Sequence, residues 1–216
     1  MVRSIPDPPL LVITDRTQAS TALVGIVTAV LRAGCRWISV REKDLPGTEQ
    51  VALIRELLPI AREFGALLTL HGDAALARAS GADAVHLPEG SDPSAARAAL
   101  GLTALVGISV HGDRQIRALD AALVDYAIAG PLFASASKPG YGPALGSEGL
   151  RSLVSQARVP VLGLAGIEPA NVADVIAAGA AGIAVMGGVM RAIDPGAHTR
   201  ALLDALAAAR AQLRAR

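Results

Sequence analysis

Short apolar runs separated by stretches of helical period recur along the whole chain. Eight of them read as strands: LLVITD (10–15), WISVREK (37–43), LLTLH (67–71), AVHLP (84–88), LVGISVH (105–111), YAIAGPLF (126–133), PVLGLAG (160–166) and GIAVMGG (182–188). Between them, segments such as TALVGIVTAVLRAG and TEQVALIRELLPIAREFG return apolar residues at i, i+3, i+4 and i+7. That is the spacing of a helix burying one face. Gly34, Gly65, Gly81 and Gly179 each follow such a segment where a C-terminal cap is expected.

The segments AGCRWISV, SGADAVHL and AGAAGIAV each place a glycine, a few turn residues and then a strand, a weak internal echo. Strands alternating with helices argue for a parallel sheet. Eight such units over 216 residues predict a small (β/α)8 barrel of the TIM type, since an open doubly wound sheet usually has fewer strands. With no linker or low-complexity segment dividing the chain, residues 1–216 read as one domain.

Composition sharpens this picture without changing it. A chain 52% hydrophobic and 18% charged is far from the disordered regime. Only 2% is aromatic, so Ala, Val, Leu and Ile must build the core. A net charge of +1 offers no basic field for nucleic acid and no membrane-binding patch. Cys35 is the single cysteine, which excludes an intrachain disulfide and reads as a small core residue. The proline-bearing start MVRSIPDPPLLVITD resembles neither a signal peptide nor a membrane span, so the expected compartment is the cytoplasm.

In such a barrel the site lies at the C-terminal strand ends and the loops that follow them. The second strand leaves as SVREKD, and period-two alternation places Ser39, Arg41 and Lys43 on one face, with Ile38, Val40 and Glu42 on the other. If the first set faces the mouth, two cations converge there, which suits an anionic ligand. The alternative is a solvated strand end with a local ion pair. The seventh and eighth strands end in GLAGI and VMGGV, at the places where this fold collects phosphate. Gly163, Gly166, Gly187 and Gly188 are therefore candidates for an anion site, or else simple turn glycines.

The stretch LFASASKPGYGPALG (132–146) follows the sixth strand, beside those glycines. Ser135, Ser137 and Lys138 bring hydroxyl and ammonium donors suited to the same anion. Four histidines complete the inventory. His71, His86 and His111 fall at strand ends, as acid–base groups or as structural residues, and His198 reads as solvated surface.

The ordered series VITD, SVREK, AVHLP, GISVH, GPLFASASK, PVLGLAGI and GIAVMGGV resembles the thiamin phosphate synthase and thiazole tautomerase superfamily, over residues 10 to 191. The resemblance implies a (β/α)8 barrel that binds a thiazole phosphate in thiamin biosynthesis. It places Ser109, Ser135, Ser137, Lys138, Gly166, Gly187 and Gly188 on the positions that hold that ligand.

Two branches are implied, and the departures bear on the choice. The synthase pattern has Gln-x-Arg-x-Lys on the second strand, then an Asn and two aspartates for Mg2+. Here the Gln position is Ser39, with Arg41 and Lys43 retained; Asn-Asp is His71–Gly72; and the second aspartate falls at Ser91, with Asp92 one residue on. These losses favour the tautomerase branch, a cofactor-independent proton shift on a carboxythiazole phosphate with no metal. Against it, the histidine that the best-known tautomerase carries near the end of the sixth strand is Pro131 here. The proton shuttle would then be His71, Glu42 or Lys138. A synthase, with Mg2+ as its cofactor, and an inactive thiazole-phosphate-binding paralogue remain the alternatives. The partner expected is a small phosphorylated thiazole, not nucleic acid or membrane; whether the chain forms a homo-oligomer stays open.

Overall fold

The computed structural model describes residues 4–135 and 144–215. Eight parallel strands close on themselves in chain order, β1 Leu10–Ile13, β2 Trp37–Val40, β3 Leu67–His71, β4 Ala84–Leu87, β5 Leu105–Val110, β6 Tyr126–Ala129, β7 Val161–Leu164 and β8 Gly182–Val185. Closure is made by β1 against β8, with Leu10 opposite Ile183 and Val12 opposite Val185. The helices are α1 Leu23–Arg32, α2 Gly47–Glu63, α3 Ala74–Ser80, α4 Pro93–Leu100, α5 Asp113–Arg117, α6 Gly146–Gln156, α7 Val172–Ala177, α8 Gly187–Met190 and α9 Pro195–Arg214. The predicted barrel is the observed one.

Alternation along the strands sorts side chains into two cores. Val12, Ile38, Leu68, Val85 and Ile183 pack outward against the helices, while Leu11, Trp37, Ala84, Leu105, Tyr126 and Leu162 fill the barrel. The scarce aromatics matter more than their number suggests. Trp37 and Tyr126 meet edge to face inside the barrel, ring centroids 4.8 Å apart, and Trp37 Nε1 donates to Thr69 Oγ1 at 2.9 Å. Gly107 makes room for them: a Cβ there would stand 2.1 Å from Tyr126 Cζ. Cys35 is buried, as expected, and burial pushes its thiol up to about 11.

Seven of the eight predicted strands end earlier than their runs, and three of them show the physical reason. After Val40 the backbone leaves the ladder, and Arg41 N donates to Thr14 Oγ1 at 3.0 Å instead. After Ala129 comes Pro131, which has no N–H to give a neighbouring strand. After Val185 the chain turns into the one-turn helix α8. Gly34, Gly65, Gly81 and Gly179 all take positive φ after their helices. Gly81 shows why: it is the left-handed cap of α3, and its N–H returns to the carbonyls of Ala77 and Arg78. At the opposite end of the barrel from the strand exits, the buried Arg97 donates to Asp125 Oδ2 at 2.7 Å and to the carbonyls of Gly101, Ala104 and Leu123. Among the described residues no helix is long and apolar enough to cross a membrane.

Candidate active site

The C-terminal strand ends bring polar side chains to the mouth of an otherwise apolar barrel. Ser39 of β2 and Thr69 of β3 are fully buried beneath it. Above them, His71 and His86 pair across β3 and β4, ring centroids 4.7 Å apart. His86 Nε2 lies 2.9 Å from Ser109 Oγ of β5. Burial pushes the His86 imidazole down to about 3, so it stays neutral across the physiological range. Partly exposed, His71 stands between this buried layer and the mouth.

The exits of β1 and β2 form one unit. Thr14 Oγ1 donates to Glu42 Oε1 at 2.5 Å, Arg16 N donates to Glu42 Oε2 at 2.9 Å, and Thr14 accepts from Arg41 N. Burial raises the Glu42 carboxyl above its ordinary value, more than those hydrogen bonds lower it. This corrects the expectation of Glu42 as a proton shuttle. It lies on the Val40 side of the alternation, is 2% exposed, and has both oxygens engaged by the β1 exit. Arg41 is half-buried, its guanidinium 4.0 Å from Asp15 Oδ2. Lys43 is exposed.

At the β7 and β8 exits the glycines divide. Gly166 takes φ +64, and a Cβ on it would meet the Ala134 carbonyl and Phe133 Cβ at 2.6 Å, so only glycine lets the β6 and β7 exits touch. The contact is sealed by Leu132 N on Leu164 O at 2.9 Å and Phe133 N on Ala165 O at 3.2 Å. Gly187 and Gly188 open α8, where a helix leaves N–H groups without intrahelical acceptors. Gly163 is different: a Cβ there would meet Leu132 Cδ1 at 2.5 Å and Val175 Cγ1 at 2.9 Å, so it serves packing toward the helices and is no part of an anion site. Ser135 is described and partly exposed, whereas Ser137 and Lys138 lie outside the described residues.

One histidine is placed otherwise than by sequence, while His111 stands at the strand end expected of it. His198 is no solvated residue; its Nε2 lies 3.4 Å from Glu168 Oε2, against Gly188. His111 ties three strand exits together. Its Nδ1 meets the Gly130 carbonyl, its Nε2 lies 3.5 Å from Glu89 Oε2, and its backbone N–H donates to Gln115 Oε1 at 2.5 Å. Gln115 Nε2 in turn donates to Glu89. Sequence reading passed over Thr14, Glu89, Gln115 and Glu168, each of which acts through a partner on another element. Tyr126, in phase with Ile128 on the inward face of β6, was within its reach.

The mouth is poorly furnished for a divalent cation. Gly72 and Ser91 stand where carboxylates would be needed, and Gly72 takes φ +150, a conformation an aspartate rarely adopts. Both nearby aspartates are helix caps: Asp73 accepts from Ala75 N and Leu76 N, and Asp92 from Ser94 N. Among the described residues no three His, Cys, Asp or Glu side chains group as metal ligands.

Comparison with known proteins supplies the remaining finding. The sequence profile described as thiamine monophosphate synthase (TMP-TENI) matches residues 10–189. A thiamine-phosphate synthase of Roseiflexus sp. is 42% identical over 201 residues, 92% of this chain and 85% of that protein. The thiamine biosynthesis bifunctional protein ThiM/ThiE of Symbiobacterium thermophilum is also 42% identical, over 88% of this chain and 40% of its own length. Among solved structures, a thiamine phosphate pyrophosphorylase from Pyrococcus furiosus superposes with TM-score 0.82 at 29% identity, covering 93% of this chain and 96% of that one.

Proposed function

Because the chain belongs to the thiamine monophosphate synthase family, we propose that it is a thiamin phosphate synthase. It is an enzyme of thiamin biosynthesis and a transferase. In the proposed reaction the bond between the pyrimidine methylene and its diphosphate breaks, the thiazole nitrogen forms the new C–N bond, and pyrophosphate leaves. The observation that carries this reading is the 42% identity to a thiamine-phosphate synthase across 92% of the chain. It favours the synthase over the tautomerase that the lost carboxylates suggested. Two features of the chain agree. Pro131 stands where the tautomerase base is expected, and Glu42, one of the three candidate substitutes, is buried under the β1 exit with both oxygens engaged.

In this reading Arg41 and Lys43 neutralise the diphosphate at the β2 exit, and Ser109 and Ser135 donate to phosphate oxygens. The N–H groups at Gly166, Gly187 and Gly188 hold the thiazole phosphate. Ser137 and Lys138 are assigned to the same ligand. Charge carried away by the leaving diphosphate is met by fixed cations and hydroxyl donors, which need little reorganisation as the bond breaks. The family implies Mg2+, but the described residues do not form a carboxylate site for it, so no step is assigned to a metal. The test is the purified protein with hydroxymethylpyrimidine diphosphate and thiazole phosphate, and separately with the carboxythiazole phosphate, each with and without Mg2+. Formation of thiamin phosphate is the expected result. Isomerisation of the carboxythiazole without condensation would return the tautomerase reading.

A further inference from the structure

His86 and Ser109 share a hydrogen bond inside the barrel, Nε2 to Oγ, at 2.9 Å. The His86 ring has no exposed surface and lies between the rings of His71, at 4.7 Å, and Tyr126, at 5.6 Å. Its second nitrogen, Nδ1, is buried without a hydrogen-bond partner among the described residues. A neutral imidazole carries one N–H and one lone pair, so two tautomers compete. The Nδ1–H form would bury a donor with nothing to receive it. The Nε2–H form leaves only a lone pair unmatched, and protein interiors leave acceptors unpaired more readily than N–H groups.

With the proton on Nε2, His86 donates and Ser109 Oγ accepts. The serine hydroxyl can then no longer give its own hydrogen to His86. Ser109 is the partly exposed residue of β5, at its mouth end, so that hydrogen is left for a ligand. We propose that His86 is a positioning residue: its Nε2–H holds the Ser109 hydroxyl as a fixed donor toward a phosphate oxygen of the ligand at the barrel mouth. This rests on the reading of the mouth as the site of phosphorylated substrates. It also gives the mouth a polarity. An oxygen with lone pairs beside Ser109 receives the hydroxyl hydrogen that His86 cannot take.

The tautomer is read directly, without turnover. Long-range 1H–15N spectra of the unliganded full chain, with the His86 signals identified by their loss in H86Q, should show a neutral Nε2–H ring unchanged from pH 5.5 to 8.5. An Nδ1–H ring, or a titration in that range, overturns the proposal whether or not the protein makes thiamin phosphate. Calorimetry with inorganic pyrophosphate and, separately, thiazole phosphate then reads the consequence. H86M and S109A should each weaken one of these ligands about 10- to 100-fold, the scale of one hydrogen bond to a charged group. The affected arm identifies which phosphate Ser109 faces. The double variant should bind no more weakly than S109A, because the two residues act as one unit, and H86Q, which keeps an N–H donor, should recover most of the loss. Losses that multiply in the double variant, or an S109A protein that binds both ligands normally, overturn the proposal. Failure of condensation by a wild type that passes these tests rejects the synthase reading and leaves the positioning role standing.

Discussion

Thr14 and Glu42 stand 28 residues apart in the chain and meet at 2.5 Å, hydroxyl on carboxylate. The pair closes the exits of two adjacent strands, because the same hydroxyl accepts from Arg41 N. A buried carboxyl thus fixes the backbone from which a cation of the proposed site projects. Both oxygens of Glu42 are spent on the β1 exit.

That burial carries a pH signature. The Glu42 carboxyl sits above its ordinary value of 4.5, so the folded chain holds this proton more tightly than the unfolded chain. Its contribution therefore favours folding at low pH and is lost as pH rises through the raised folded value. We expect wild-type stability relative to E42Q to fall as pH is raised from 4 toward 7, in urea melts of both proteins. A difference that does not vary with pH would refute this.

Arg97 and Asp125 make an opposite case, a buried ion pair far from the mouth, with side chains 7% and 5% exposed. Removing one partner leaves an uncompensated buried charge, so R97A should cost about 3–5 kcal/mol of stability. The turnover of the protein that remains folded should not change. A shift in KM without a change in the denaturation midpoint would contradict the purely structural role.

Gly107 leaves Tyr126 its space, and an added Cβ would stand 2.1 Å from the ring. We expect G107A to lower stability by about 1–3 kcal/mol through overpacking, possible only if the ring shifts. In G107A/Y126V the clash is gone, so the alanine should cost far less on that background than on the wild type. Equal costs on both backgrounds, in thermal melts, would show that the contact is not what excludes a side chain at 107.

Arg41 should act on the ligand and not on folding. It is half-buried, with its guanidinium 4.0 Å from Asp15, a distance that gives the pair little strength. R41A is expected to weaken inorganic pyrophosphate about 10- to 100-fold in calorimetry while moving the melting temperature little. Unchanged affinity would remove Arg41 from the diphosphate site.

Magnesium gives a further check. With Asp73 and Asp92 engaged as helix caps, the free protein should show no micromolar Mg2+ binding in calorimetry. Micromolar binding by the protein alone would mean that residues outside the described ones, or a rearranged mouth, supply the ligands.

Much of the barrel was legible along the chain because its causes are local. Alternation in WISV or AVHL and helical period in VALIRELLPIARE depend on neighbours within four residues, and so do the turn glycines at 34, 65, 81 and 179. The shared phase of Ser39 and Arg41, opposite to that of Glu42, followed from the same alternation, and barrel closure decided that it faces inward. The site itself depends on closure. Gly163 and Gly166 look alike in GLAGI, yet the first packs against Leu132 and Val175 and the second lets two strand exits touch. His86 and Ser109 meet because β4 and β5 are adjacent in parallel register, and Thr14 and Glu42 meet because β1 and β2 are. Residue type and period determined which elements form and which residues share a face. Which of them meet in a hydrogen bond was decided by strand register, set by burying both sides of the barrel at once, an energy that no stretch of the chain expresses alone.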